Sequence, residues 1–103
     1  MNIVYPTTST NVPTVATSTT ALADSAGRRI AWSIQNQDAS NPLLVCLGST
    51  ASSSVYHYVL PKCTSTADGT GGMVSQENGV IYTGIITVYS AGTPSYTVWE
   101  SKP

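Results

Sequence analysis

His57 is the only histidine in these 103 residues, so Ser–His chemistry would have to run through it. It stands between Tyr56 and Tyr58, with no acid near it in sequence. A triad needs a base that is oriented by a third group. The residue therefore reads as a strand histidine sharing a face with Val55 and Val59. Five acids could form a carboxylate pair: Asp24, Asp38, Asp68, Glu77 and Glu100. Four of them fall in expected turns or loops, where turn chemistry alone accounts for aspartate. A glycosidase needs two acids facing across a cleft, and nothing in this spacing requires that. Cys46, Cys63 and His57 could supply three zinc ligands, but there is no C-x-x-C pair. Cys46 lies in an apolar run and reads as a small buried hydrophobe. Cys63 lies in a loop and is expected to be exposed; a bond between the two would need an oxidising place. Asp68-Gly69-Thr70-Gly71-Gly72 resembles a phosphate cradle, yet it lacks the Lys-Ser/Thr pair and the following helix. The expectation is no catalytic, metal or cofactor-binding residue, and no enzyme.

Arginines and aromatics remain. Arg28 and Arg29 are two of four basic residues and open the run RRIAWSIQN. Within it Ile30, Trp32 and Ile34 fall on one face, and Ala31, Ser33 and Gln35 on the other. A period of two marks a half-buried strand. The arginines sit at its start, one toward each face. An arginine fork suits pairing with a carboxylate better than catalysis, so one of them is expected to meet an acid of a neighbouring subunit. Tyr56, Tyr58, Tyr82, Tyr89, Tyr96, Trp32 and Trp99 all fall on expected strands. Those facing outward would suit protein contact or stacking on sugar rings.

Composition narrows the class. Only 9% of residues are charged, against roughly 25% in an average soluble protein. A surface rich in Ser, Thr, Asn and Gln suits a protein packed against neighbours. The net charge is -1 and no basic cluster exceeds two residues, so the stripe that a nucleic-acid backbone demands is missing. No apolar run approaches the roughly 18 residues of a membrane-spanning helix. MNIVYPTTST has neither the positive nor the apolar region of a secretory signal. Two cysteines are too few for a disulfide scaffold, and no N-x-Ser/Thr site occurs. The chain reads as used without secretion, its thiols reduced.

Helical periodicity is nearly absent, while short alternating runs recur with turn chemistry between them. Residues 1–18 are expected to form an extended arm outside the central sheet, because Pro6 and Pro13 remove ladder donors. Residues 14–22 offer a first strand, expected at a sheet edge, and 24–27 a turn. Residues 30–35 and 43–47 look like a hairpin with a long loop, the second strand buried on both faces. Further strands are expected at 55–60, 73–75, 80–89 and 95–100. Asn78-Gly79 is a strong hairpin signal, and Gly84 suggests a bulge or bend. Residues 62–72 form the longest glycine-rich loop, placed to face a partner or solvent. About seven strands at this spacing give an all-β domain over 19–103, a single β-sandwich or small jelly roll.

The segment TTALADSAGRRIAWSIQNQDASNPLLVCLG, with the later ADGTGGMVSQENGVIYTGIITV, resembles small β-rich structural proteins of tailed bacteriophages. The resemblance covers residues 19 to 100 and rests on turn and strand patterns. It implies a virion role: head decoration or cement, head fibre, or a connector or tail attachment. It carries no catalytic residues, and residues 1–18 depart from it.

The expectation is a capsid decoration or cement protein, assembled in the host bacterial cytoplasm and docked on the major capsid protein or other virion proteins. A homotrimer is expected, with no nucleic acid and no membrane partner. Tyr5, Val15, Arg28, Arg29, Tyr56 and Tyr58 are the subunit-contact candidates. The arm would add main-chain hydrogen bonds to a neighbour. The alternatives are a collar, connector or tail/fibre component, or a host-glycan-binding adhesin domain.

Overall fold

The computed structural model describes the backbone of residues 5–11 and all of residues 19–92 and 95–103. Among these there is no helix. Eight strands follow in order: β1 (Tyr5–Asn11), β2 (Thr19–Leu22), β3 (Ala31–Asn36), β4 (Leu43–Cys46), β5 (Tyr58–Leu60), β6 (Met73–Gln76), β7 (Ile86–Tyr89) and β8 (Tyr96–Lys102). They form two four-stranded sheets, ordered β1-β8-β3-β6 and β2-β7-β4-β5. Every pairing is antiparallel. First pairs with last, second with seventh, third with sixth, fourth with fifth. The chain is thus one long antiparallel hairpin rolled up on itself, which is the jelly-roll form of the sandwich. The all-β sandwich read from the sequence is what the chain adopts.

Alternation explains which side chains meet. Trp32 and Ile34 on β3, Tyr96 and Val98 on β8, Leu43 and Val45 on β4, Ile86 and Val88 on β7 are at most 2% exposed. With Leu22 and Leu60 they form the core between the sheets. β3 and β4 lie second from one edge or internal in their sheets, each with a strand on both sides. That is why their sequences carry the densest apolar content.

Several expectations change. β3 and β4 do not form a hairpin: they belong to different sheets, so residues 37–42 cross the sandwich. Asn78-Gly79 does turn, with Gly79 at φ 78, but it joins β6 to β7 across the two sheets. The expected strand 80–89 shortens to Ile86–Tyr89. Its first half cannot join a ladder because side chains take its backbone groups. Tyr82 N–H donates to Gln76, and the carbonyls of Tyr82, Thr83 and Gly84 accept from Arg29 and Ser25. Val80 is left 93% exposed.

The N-terminal segment also differs. Residues 5–11 are extended, but as a strand of the sandwich, in unbroken register with β8 from Tyr5↔Lys102 to Asn11↔Tyr96. The expected boundary at residue 18 therefore does not separate an arm from a domain. Tyr5 begins β1; Val15 lies outside the described residues.

Candidate functional site

Within RRIAWSIQN the Arg29 side chain makes four hydrogen bonds. Its neighbour Ser25 receives the Arg29 N–H at 3.0 Å, in the turn where Ala26 and Gly27 take φ 55 and 79. That turn drives Arg29 inward and leaves Arg28 in solvent. Arg29 Nε donates to Glu100 at 2.9 Å; Nη1 donates to the carbonyls of Tyr82 and Gly84, and Nη2 to that of Ala23 at 2.7 Å. Its side chain is wholly inaccessible. The guanidinium thereby ties the end of β2, the strand β8 and the 82–84 segment together. Arg29 is therefore not a subunit contact: its acid is Glu100 of the same chain, which also pairs with Lys102 at 3.2 Å. Burial of a planar fork among fixed acceptors leaves nothing for a partner. Arg28 is exposed, its Nη2 reaching the Pro103 carbonyl at 3.4 Å.

A second knot closes the other end of β3. Asn36 is fully buried, and its Nδ2 donates to the carbonyls of Asn41, Leu60 and Pro61. Its Oδ1 accepts from Asp38 N–H. The Cys63 thiol donates to the Asn36 carbonyl at 3.2 Å. Cys63 is 2% exposed, against the expectation of an exposed loop thiol, because the backbone around it is pinned to residues 37 and 38. Cys46 is buried as expected, and both thiols are free. Midway, Trp32 Nε1 donates to Gln76. No signal in the sequence singled out Gln76 or Asn36; a polar residue at an inward strand position is the only trace they leave.

The polar candidates for chemistry hold turns. Asp24 accepts from Ala26 N–H and Asp38 from Ser40 N–H. Asp68 accepts from the Thr70 hydroxyl, the Thr70 N–H and the Ser65 N–H. The Thr70 hydroxyl, then the Thr70 N–H, holds the Asp68 carboxyl below the usual carboxylate range. These bonds order an exposed loop that the glycines alone would leave loose. His57 is exposed, and its Nδ1 accepts from Leu47 N–H at 2.9 Å. Among the described residues no group of three His, Cys, Asp or Glu could hold a metal ion.

Among the described residues, exposed apolar side chains cluster on one sheet face. On the outer face of the second sheet Leu44 faces Val59 on one side and Tyr89 on the other. Val59 is 50% exposed; Leu44 and Tyr89 are half-buried. The loop leading into β5 adds Val55 and Tyr56, at 50% and 45%. Beside it the face is roofed at Thr87, which accepts from Ala51 N–H and donates to the Gly48 carbonyl, so residues 48–51 cover it there.

Comparison with known protein families, characterised proteins and solved structures finds no match.

The surface itself then has to carry the functional reading. Of the contact candidates, Tyr56 stands on the exposed loop and Arg28 at an exposed turn. Tyr58 is half-buried and packs against the core. Sequence named Tyr89 only among the strand aromatics that could face outward, and did not single out Val59 or Leu44 as contacts. The run Leu43–Cys46 reads as buried on both faces, and only the pairing shows that the second face is open.

Proposed function

We propose that this chain is a structural protein of a tailed-phage virion, a decoration or cement protein that stabilises the head by contacts with the major capsid protein. One observation carries the reading. The outer face of the second sheet presents Val59, Leu44 and Tyr89 across three adjacent strands, and the loop that leads into β5 exposes Val55 and Tyr56. Exposed apolar side chains grouped on one face mark a protein contact. Low charge and a Ser/Thr-rich surface fit a molecule held among neighbours. The conspicuous polar motif supports a structural role too, since Arg29, Trp32 and Asn36 all brace the fold. Jelly rolls serve in viral capsids and in lectins alike, so the fold favours no single role. A nucleic-acid partner is not proposed: of four basic residues Arg29 is buried.

The test is rebinding to capsids stripped of accessory proteins. The wild-type chain is expected to bind. Val59→Lys is expected to lose binding with an unchanged melting temperature, since Val59 touches solvent. A wild-type chain that leaves stripped capsids bare removes the decoration reading.

Tyr56 favours a second reading. A glycan-binding module carries aromatics in loops, and Tyr56 lies in a loop rather than on the strand expected for it. Saturable binding of host-cell glycans, lost in Tyr56→Ala, would put the adhesin reading first.

A further inference from the structure

Among the described residues the two sheets have four edge strands, and three of them are short as well as otherwise protected. β2 has four residues and a register shift between Thr20 and Leu22. β5 has three residues and runs into Pro61. β6 has four residues and is followed by Glu77. Short length, bulges, proline and charge are the devices that keep sheet edges from pairing. β1 is the least protected, its one such device being Pro6 at the second position. It runs seven residues, YPTTSTN, without a charge or a register shift.

The direction of its backbone groups follows from β8. The Ser101 carbonyl accepts from Ile30 N–H and the Ser95 carbonyl from Gln37 N–H, so both point toward the β3 side. Backbone groups alternate sides along a strand, so Thr97 and Trp99 point that way as well. Tyr96, Val98, Glu100 and Lys102 must then point to β1, where they meet Asn11, Ser9, Thr7 and Tyr5. Pro6, Thr8 and Thr10 are the residues whose backbone groups turn outward. Pro6 therefore costs the β1–β8 ladder nothing, as suits a proline on an edge.

We infer that the outer edge of β1 pairs antiparallel with β1 of a second copy, about a two-fold axis through Thr8. Thr8 is the midpoint of the strand, so this register overlaps all seven residues. Thr8 N–H donates to the partner's Thr8 carbonyl, and Thr10 N–H to the partner's Pro6 carbonyl, each bond repeated by symmetry. Every outward N–H from residue 6 to residue 10 finds an acceptor, and no like charges meet across the seam. The first sheets of two molecules become one continuous sheet. Such an isologous contact closes at two copies, not the three expected from sequence. The inference stands apart from the virion reading, because it concerns copies of this chain alone.

The experiment is the mass of the full-length chain in solution up to millimolar concentration, with three variants. Wild type is expected to form a dimer. Thr8→Pro removes an outward N–H and leaves the β8 ladder whole, so it is expected to be monomeric with the wild-type melting curve. Thr8→Cys is expected to give a disulfide dimer under a mild thiol oxidant, because paired Cα atoms about 5.5 Å apart lie within disulfide reach. Ser9→Cys is expected not to, and the buried Cys46 and Cys63 do not interfere. If Thr8→Pro fails to fold, the two cysteine variants decide. A monomeric or trimeric wild type, or cross-linking at Ser9 in place of Thr8, overturns the inference. Capsid binding by a chain that stays monomeric would overturn it while leaving the proposed function standing.

Discussion

Arg29 shows how a charged residue can be fully buried without a partner subunit. Its carboxylate is supplied by β8, and acceptors for its other N–H groups by three carbonyls that no strand uses. Removing one member of such a group leaves the rest desolvated. Arg29→Ala is expected to cost about 3–5 kcal/mol in a denaturant titration. Arg29→Lys is expected to recover little of it, since an ammonium cannot reproduce the planar fork. Arg28→Ala, at the same turn but exposed, is expected to leave the midpoint within about 0.5 kcal/mol. Asp68 offers a pH test of the same kind. Its carboxyl is held below its usual range by donors of the folded loop. The charged form is the bonded one, so its contribution is complete above the ordinary carboxylate value and fades as pH falls through the lowered one. Protection of the Thr70 amide, its exchange rate compared with the intrinsic rate at the same pH, is expected to fall as the solution is acidified below the ordinary carboxylate value. The same amide in Asp68→Asn is expected to lack that response.

Among the connecting elements, the 62–72 loop is buried near both ends and exposed between, with Ala67 N–H and the Gly69 carbonyl still bonded to Gln37 and Gln35. Cys63 and Gly71 are buried, while residues 64–70 are exposed. Gly71 is required by proximity: a Cβ there would overlap the Asn36 carbonyl and stand 2.8 Å from Cys63 Sγ. Gly71→Ala must push apart the contact that shelters the thiol. Native-state labelling with a thiol reagent is expected to be slow at both cysteines in the wild type. In Gly71→Ala it is expected to become fast at Cys63 and stay slow at Cys46. Equal labelling of the two would mean that the loop moves as a whole. Sequence marked the glycines as loop formers, but not which one abuts a strand. That depends on β3 arriving beneath the loop.

At the scale of the whole molecule, the rolled hairpin makes the first strand the partner of the last. Deleting residues 1–11 would not trim an appendage. It would expose the long side of β8, from Tyr96 to Lys102, as a new edge. The truncated chain is expected to melt at a lower temperature and to aggregate, as seen by light scattering. An independent domain at 19–103 would melt unchanged. Because β1 can close only after β8 exists, and most pairings span much of the chain, refolding is expected in milliseconds to seconds or slower.

Strand content, turn positions and much of the core were legible in the residues themselves. Alternation at Trp32 and Ile34, apolar density at Leu43–Cys46 and turn chemistry at 24–27 are local, and local sterics enforce them wherever the chain goes. Sequence also placed one arginine on each face of the strand start, and placed Cys46 inside. Which strand lies beside which was decided by tertiary structure alone. Asn78-Gly79 and the 37–42 loop turn the chain but do not say whether it returns to the same sheet. The fate of Arg29 was equally hidden, since its acid lies 71 residues away. So was the role of residues 5–11, whose Ser and Thr side chains suit a free arm or an edge strand alike. Only β8, with its outward backbone groups waiting for a partner, makes them part of the fold.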